Sequence, residues 1–231
     1  MHDMPVCGAI IIARMDSSRF PGKAMAYLGD QLIIERCITA LKGSDEFVAL
    51  LATTDREVDK PLLNAAETLG IEHFQGPLDV SERLAGCIRK FGLQYFARVN
   101  GDSPFTRREL LTEGFRIIRE KNLDFVTNLV PRAFPYGISV EIMKSETFLS
   151  TLPNLDSDFY REHVTTYFYE HFGSLKTFCM PYTSGNDHDV RLVVDTYEDK
   201  ERIEKMLTVK PNAFELPIPE LVKLYRGVHH D

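Results

Sequence analysis

A short basic segment near the start of the chain carries the residue types that bind phosphate groups. It contains Arg14, Arg19 and Lys23, with Ser17 and Ser18 between them. The cationic side chains neutralise charge, while serine hydroxyls and backbone N–H groups donate hydrogen bonds to phosphate oxygens. The segment has neither the Gly-x-x-x-x-Gly-Lys-Ser/Thr pattern of a Walker loop nor the Gly-x-Gly-x-x-Gly of a dinucleotide fold. The pattern favours a polyphosphate-binding loop, and the alternative is an ordinary basic surface loop.

Two aspartates, Asp102 and Asp195, each follow an apolar run directly. If both runs are strands parallel to the one before the basic segment, their carboxylates face the same edge of the sheet, where open α/β folds bind ligands. Carboxylates beside a polyphosphate repel it unless a cation lies between them, and Mg²⁺ prefers such oxygen ligands. We therefore expect a magnesium site at Asp102 and Asp195. The alternative is that Asp102 only caps a turn and Asp195 only caps a helix.

The elements that must position these residues alternate between strand and helix. Apolar runs predict strands over 6–13, 47–53, 71–74, 95–99, 125–128, 138–142, 175–180 and 191–194. Helical spacing and caps predict helices over 31–42, 59–70, 79–91, 106–121, 158–172, from Thr196 onward and over 219–225. Capping boxes are predicted at Asp79 and Thr106, and Asp199 is at the third position of the helix that begins at Thr196. This order predicts an α/β fold, a three-layer sandwich with a mostly parallel sheet and a small inserted β element. We expect one domain over 1–231, with a substrate or dimerisation element around 128–182.

The composition and net charge of the chain argue against several classes of function. The chain has 231 residues and a net charge of −7, which argues against nucleic-acid binding because phosphate backbones need a basic face. Its four cysteines have no Cys-x-x-Cys spacing, so we expect buried thiols in a reducing compartment and no zinc site. No signal peptide or membrane segment is evident, and we expect a cytoplasmic protein without membrane insertion. The pair His229-His230 is expected to be an exposed tail.

The first loop resembles a known signature. Residues 13–23 are similar to the Ala-Arg-x-x-Ser-x-Arg-x-Pro-Gly-Lys pattern of the cytidylyltransferases that make CMP-activated sugar acids, such as the CMP-KDO and CMP-sialic acid synthetases, and above all the spore coat polysaccharide biosynthesis protein F group. Further matching blocks lie at 52–55, 98–104, 125–128, 137–141, 161–165 and 194–199, so that the resemblance runs from about residue 6 to residue 203.

The resemblance implies a Rossmann-like, GT-A-like nucleotidyltransferase fold, a homodimer, and CTP and Mg²⁺ as nucleotide and metal. It implies an enzyme that activates a sugar or sugar acid to its CMP derivative, with release of pyrophosphate, for surface polysaccharide biosynthesis. Carried over by position, the triphosphate would contact Arg14, Ser17, Arg19 and Lys23, and the base or ribose would lie near Ala13, Thr54 and Asp55. Arg98 would help to orient its strand end. Asp102 and Asp195 would hold the metal, with Arg14, Lys23 and Asp102 catalytic. The sugar would face Tyr136, Glu141, Arg161 and His163.

Two positions depart from the pattern of the group. Ile12 stands where Gln or Pro is usual before Ala-Arg, and Ser139 replaces an acidic residue common in its block. Two other hypotheses for the function stay open: a glycosyltransferase that uses a nucleotide sugar, and a nucleotide-binding protein without catalysis. Glycosyltransferases of such folds commonly have Asp-x-Asp at the metal, whereas Asn100-Gly101-Asp102 lacks the first aspartate.

Overall fold

The computed structural model describes residues 6–228, and the His229-His230 pair lies outside this range. A seven-stranded sheet forms the centre, built from β1 (Cys7–Ile12), β4 (Val48–Thr54), β5 (Glu72–Gly76), β6 (Tyr95–Asn100), β7 (Phe125–Thr127), β8 (Glu141–Lys144) and β9 (Thr177–Cys179). A separate two-stranded antiparallel sheet pairs β2 (Tyr27–Leu28) with β3 (Gln31–Leu32). Nine α-helices are described: α1 (Ile33–Leu41), α2 (Lys60–Thr68), α3 (Val80–Phe91), α4 (Arg108–Glu120), α5 (Ser145–Thr151), α6 (Asp158–Glu162), α7 (Thr166–Glu170), α8 (Tyr197–Val209) and α9 (Ile218–Gly227).

The strand order is β5-β4-β1-β6-β8-β7-β9, and of the strands within residues 6–228 only β8 runs antiparallel to its neighbours in this sheet. The chain leaves β1 toward β4 and β5 on one side and later adds β6 on the other side, so that β1 is the point where the strand order reverses. Ligands of open α/β sheets bind at the carboxyl ends of the strands at this point. The fold therefore places the basic segment after β1 and Asp102 after β6 at the expected binding edge.

Helices cover both faces of the sheet, which gives the expected three layers. On one face, Ile11 and Val99 pack with residues of α1, α2 and α4. On the other face, Ile10 and Phe96 pack with residues of α3, α5 and α7. Alternate residues of each strand point to opposite faces, so the continuous apolar run of β1 supplies both cores. The predicted mostly parallel α/β sandwich with a small β element is confirmed.

Several predicted local elements were wrong. The predicted helix over 158–172 is two short helices, α6 and α7, interrupted where Val164 and Thr165 are buried. The segment 191–194 is not a strand but forms one isolated bridge, between Arg191 and Tyr136. The predicted strand over 138–142 is shifted to β8, and 31–32 belong to β3 rather than to a helix. The segment 128–182, for which a substrate or dimerisation element is predicted, contains β8 and β9 of the central sheet, and that role stays a prediction.

The capping predictions had mixed outcomes. Asp79 caps α3 by accepting a hydrogen bond from the backbone N–H of Glu82, but the reciprocal bond of the predicted capping box is not formed. Asp199 is at the third position of α8, as predicted, and forms a capping box with Thr196. Thr106 forms no capping box, because its hydroxyl donates to the carbonyl of Ser103 and α4 begins after Arg107. Asp59 precedes α2 but does not cap it, because its carboxylate accepts from Thr54, Arg56 and the backbone N–H of Met15.

Three of the four cysteines, Cys7, Cys37 and Cys87, are buried, Cys179 is partly exposed, and none forms a disulfide. None of the helices between residues 6 and 228 combines the length and apolar character needed to cross a bilayer.

Candidate active site

The basic loop, residues 13–23, curls back on itself after β1. The carbonyl of Met15 accepts hydrogen bonds from the backbone N–H groups of Ser17 (3.1 Å) and Gly22 (2.8 Å). Gly22 has φ +72°, a left-handed conformation that glycine adopts without steric cost. The loop is anchored to the fold because the N–H of Met15 donates to Asp59 Oδ1 at 2.6 Å. A short 3₁₀ turn then begins at Lys23 and aims its side chain back toward the sheet edge.

Lys23 joins the two aspartates. Its Nζ donates to Asp102 Oδ2 at 2.6 Å and to Asp195 Oδ1 at 2.9 Å. All three side chains are largely buried, with exposed fractions of 13%, 19% and 11% respectively. Burial alone would lower the pKa of Lys23, but the two carboxylates raise it above its ordinary value. The predicted meeting of the basic loop with both carboxylates is therefore present in the structure.

Asp102 is placed by a close crossing of two backbones. Gly101 N donates to the carbonyl of Ile12 at 2.9 Å, which ties the end of β6 to the end of β1. A Cβ at position 101 would lie 2.8 Å from Ala13 Cβ and 3.1 Å from Ile12 O. The carbonyl of Asp102 in turn accepts from Val194 N at 2.9 Å. This bond brings the segment before Asp195 to the sheet edge although that segment is not a strand.

Asp195 is fixed from the other side by the start of α8. Asp199 accepts hydrogen bonds from the backbone N–H groups of Asp195 (2.9 Å) and Thr196 (3.1 Å). Arg191 bridges the two carboxylates, at 2.9 Å from Asp195 and 2.7 Å from Asp199. Burial would raise the pKa of Asp195, but the hydrogen bond and charge of Lys23 outweigh it and hold the pKa below its usual value. Asp195 is therefore an oriented anion facing Lys23.

Two adjoining cavities meet at these side chains. The first, here called the loop cavity, has a volume of about 280 Å³ and extends from the basic loop to α3. The second, here called the adjoining cavity, has a volume of about 370 Å³ and extends toward β8 and α7. The residues that line both are Arg19, Arg98, Asn100, Asp102, His163 and Asp195. Two ligands bound in these cavities would therefore meet beside the two aspartates.

The adjoining cavity has a polar floor. Arg98 Nη1 lies 3.1 Å from Glu141 Oε2, and the hydroxyl of Tyr169 donates to Glu141 Oε1 at 2.7 Å. Burial, followed by the charge of Glu141, raises the pKa of Tyr169, which keeps this hydroxyl protonated. Both carboxylate oxygens of the buried Glu141 therefore have a partner, and the positive charge of Arg98 balances the negative charge of Glu141.

Arg132 also lines the adjoining cavity and carries a positive charge. Its guanidinium lies 4.8 Å from the ring centroid of Tyr136, and its Nη1 is buried without a hydrogen-bond partner. Among the residues that the structure describes, Arg132 has no carboxylate partner. Arg191, whose guanidinium lies 4.9 Å from the centroid of the same ring, is by contrast paired with Asp195 and Asp199. Arg132 is therefore available to a ligand.

The sequence model of the cytidylyltransferase family matches residues 8–225 of this chain. The chain belongs to the cytidylyltransferase family. The spore coat polysaccharide biosynthesis protein SpsF of Bacillus subtilis is 28% identical over 224 residues, 93% of this chain and 92% of the relative. A 3-deoxy-manno-octulosonate cytidylyltransferase of Bdellovibrio bacteriovorus is 26% identical over 149 residues, 63% of this chain and 57% of the relative. The structure of a cytidylyltransferase from Leptospira borgpetersenii superposes with a TM-score of 0.88 at 26% identity, covering 97% and 95% of the two chains.

This cytidylyltransferase brings most of the predicted site residues together. Ala13, Arg14, Ser17, Arg19, Lys23, Arg98, Asp102, His163 and Asp195 line the loop cavity, and Tyr136 and Glu141 line the adjoining one. Three predicted residues line neither. Thr54 is buried and bonded to Asp59, Asp55 lies beyond the end of β4, and Arg161 donates to the carbonyl of Leu155. Any contact of these three with substrate stays a prediction.

Among the lining residues of the enzyme that sequence reasoning did not assign to the site are Arg83, Asn100, Arg132 and Tyr169. Arg83 and Tyr169 lie on helices, where a charged or aromatic side chain is usually solvated or part of the core. Asn100 stands two residues before Asp102 at the end of β6, and this position was the available signal. Arg132 lies in an irregular Pro-rich loop whose path the sequence does not indicate.

The residues present fit a divalent cation. Asp102 Oδ2 and Asp195 Oδ1 both accept from the one ammonium group of Lys23, so a positive charge already lies between them. Within residues 6–228 no group of three or more His, Cys, Asp or Glu side chains comes together as a metal cage. One or two carboxylates completed by phosphate oxygens and water is the usual coordination of Mg²⁺ beside a nucleotide.

Proposed function

We propose that this enzyme transfers the cytidylyl group of CTP to a hydroxyl of a sugar or sugar acid and releases pyrophosphate. The observation that carries this proposal is the convergence of Lys23, Asp102 and Asp195 at the junction of two cavities. The name of SpsF, a spore coat polysaccharide biosynthesis protein, supports a role of the product in surface polysaccharide biosynthesis, and the name of the 3-deoxy-manno-octulosonate cytidylyltransferase supports cytidylyl transfer to a sugar acid.

In the proposed complex, the basic loop binds the triphosphate. Arg14, Arg19 and Lys23 neutralise its charge, and Ser17 and the backbone N–H groups of the loop donate hydrogen bonds. Arg14 lies 3.2 Å from Glu162 and Arg19 lies 3.3 Å from Asp195. Because Arg14 and Arg19 are partly exposed, their ion pairs are weak and exchange for phosphate at little cost.

Asp102 and Asp195 would hold Mg²⁺, which, when bound, polarises the α-phosphate and takes up part of its charge. Lys23 would then move from the carboxylates to the phosphates. Its long, flexible stem allows this movement without a change of the backbone.

The chemical step is an in-line displacement. The acceptor hydroxyl oxygen, bound in the adjoining cavity, forms a bond to the α-phosphorus, and the bond from this phosphorus to the oxygen bridging to the β-phosphate breaks. Pyrophosphate leaves with the electron pair, and the hydroxyl proton passes to water. Positioning and charge neutralisation supply most of the catalysis of such transfers. Arg14, Arg19 and Lys23 would stabilise the charge that develops on pyrophosphate.

The sugar side of the proposal uses the adjoining cavity. Tyr136 lies on its wall and Glu141 on its floor, while His163 stands at the junction of the two cavities. Arg161 would reach the sugar only if its bond to Leu155 is exchanged. We further expect a homodimer with the segment 128–182 at its interface, which light scattering after size exclusion tests, and a cytoplasmic location, which cell fractionation tests.

A nucleotide screen tests this function without knowledge of the acceptor. Thermal unfolding is measured with CTP, UTP, ATP, GTP and dTTP, each with Mg²⁺ or EDTA. Since a ligand that binds only the folded state raises its stability with the logarithm of saturation, CTP with Mg²⁺ should raise the Tm most. Acceptor trials then follow pyrophosphate release. Absence of any CTP effect, or release of a nucleoside diphosphate from a sugar nucleotide instead, would contradict the proposal.

A further inference from the structure

Arg83 is a deeply buried cation with unused hydrogen-bond donors. It lies on α3, is 2% exposed and lines the loop cavity. Its Nη1 donates to the carbonyls of Pro77 (2.9 Å) and Leu78 (3.0 Å). Among the described residues, its Nε is buried without a partner, its Nη2 makes no hydrogen bond, and no carboxylate pairs with it. A buried charge with unmade hydrogen bonds costs stability, which points to a ligand that completes them.

The guanidinium is held in a fixed orientation. The two carbonyl contacts secure one end, and the stem packs beside Gly76, where a Cβ would lie 3.3 Å from Arg83 Cγ. With Nη1 engaged, the free donors are Nε–H and Nη2–H, which point in parallel along one edge of the guanidinium. This edge is the fork that binds two adjacent acceptors.

The position of Arg83 in the loop cavity fits the base rather than the phosphates. Lys23 and Asp102 lie toward β6, on one side of β1, whereas α3 follows β5, on the other side. The same cavity is also lined by the apolar side chains of Ile12, Ala13 and Val80. A nucleotide with its phosphates on Lys23 would thus place its base between apolar surfaces near Arg83.

We propose that Arg83 selects cytosine by donating hydrogen bonds from Nε and Nη2 to the adjacent O2 and N3 acceptors of the base. Uracil has an N–H at position 3, which would face the guanidinium donors and leave a buried hydrogen bond unmade. The side chain of Ile12 cannot read the base edge because it has no polar atom, whereas Arg83 lines the same cavity with unpaired donors. The inference rests on the proposed function, since it assumes a nucleotide in this cavity.

The test compares the dissociation constants of CTP and UTP, measured calorimetrically with Mg²⁺, for the wild-type protein and for Arg83→Lys and Arg83→Gln. The triphosphate contributes equally to both, so the ratio reports on the base. We expect each variant to lose about tenfold or more of the CTP preference, the usual order for a bidentate base contact.

Arg107→Gln is the matched control. Arg107 is also buried, also donates to two backbone carbonyls, those of Phe214 and Leu216, and also has an unpartnered Nε, but it lines neither cavity of the site. Its loss should lower stability while leaving the CTP to UTP ratio unchanged. Unchanged ratios in folded Arg83 variants would overturn the inference and leave the proposed function standing.

A second measurement uses the wild-type protein and needs no variant. The triphosphate of the 2-pyrimidinone riboside keeps O2 and N3 of cytosine but lacks the 4-amino group, and we expect it to bind within a few-fold of CTP. Binding as weak as that of UTP would overturn the inference, because selection would then occur at the amino group. Equal binding of CTP and UTP would do the same, whereas binding of neither would contradict the proposed function as well.

Discussion

Lys23 Nζ lies 2.6 Å from Asp102 Oδ2, although the two residues are 79 positions apart in the chain. The contact joins the loop after β1 to the end of β6, and the same ammonium group reaches Asp195 before α8. Three remote segments thus meet at one point of positive charge between two carboxylates. The point where the strand order reverses explains why the first two segments meet, because it brings the loops after the neighbouring strands β1 and β6 to one edge. The third segment, which does not follow a strand, is held there by the hydrogen bond from Val194 N to the carbonyl of Asp102.

Asp102→Asn should leave the fold intact and reduce turnover about a hundredfold. The substitution keeps the size of the side chain but removes the charge that the metal requires, and loss of one electrostatic contact to a transition state commonly has this magnitude. Pyrophosphate release from CTP with an accepted sugar measures the effect. Asp45→Asn, an exposed aspartate before β4 at the opposite edge of the sheet, is the control. Turnover of Asp102→Asn equal to that of the control would remove Asp102 from the metal site.

Gly101→Ala should destabilise the protein by about 1–3 kcal/mol, the usual cost of forcing an extra group into a packed site. The added Cβ would lie 2.8 Å from Ala13 Cβ and would separate β6 from β1, which also displaces Asp102. Gly173→Ala is the control, because a Cβ there meets nothing within 4 Å. Urea unfolding of both variants checks the expectation, and equal stabilities would show that the close approach is not required.

Asp199→Asn should lower the free energy of unfolding at pH 7 by about 1–3 kcal/mol, through loss of a cap and of bonds to a charged group. Burial would raise the pKa of Asp199, but hydrogen bonds from Arg191 and from the backbone of Asp195 hold it below its usual value. The unfolded chain therefore takes up the proton first as the pH falls. The stabilisation by Asp199 is complete above about pH 4 and is lost below it.

The difference between the wild-type protein and Asp199→Asn should accordingly shrink from pH 7 to pH 3, as denaturant unfolding at several pH values would show. A difference that stays constant down to pH 3 would mean that the charge of Asp199 contributes nothing to the folded state.

Arg132→Gln should raise the KM for an anionic acceptor about tenfold or more while leaving the dissociation constant of CTP unchanged. Arg132 lines the adjoining cavity but not the loop cavity, and a hydrogen bond to a charged group has about this value. Initial-rate kinetics against acceptor, with calorimetry of CTP binding, separate the two effects. An unchanged acceptor KM would show that Arg132 does not contact the sugar.

Much of the site was predictable because it depends on strand order. The apolar run of β1, the basic loop and the Asp102 block are local patterns, and alternation of strand and helix is enough to bring them to one edge. The sequence pattern predicted a strand before Asp195, but residues 191–194 do not join the sheet. They are held instead by a hydrogen bond to the carbonyl of Asp102 and by one bridge to Tyr136.

The other differences between the predicted and the observed elements arise because tertiary contacts outweigh the local preference of the sequence. Thr106 bonds the Ser103 carbonyl instead of capping α4, and the aromatic-rich run over 158–172 breaks where Val164 enters the core. Arg83 has an ordinary helical context in sequence, and only the fold shows that its guanidinium is buried with unpaired donors.

The most direct test of the site is the affinity for CTP, measured calorimetrically with Mg²⁺ and with EDTA, in the wild-type protein and in Asp102→Asn and Asp195→Asn. If both carboxylates hold the cation that bridges to the phosphates, removal of Mg²⁺ should weaken CTP binding to the wild-type protein strongly and to either variant very little. CTP affinity that EDTA leaves unchanged in the wild-type protein, or that depends on Mg²⁺ equally in all three proteins, would contradict the account.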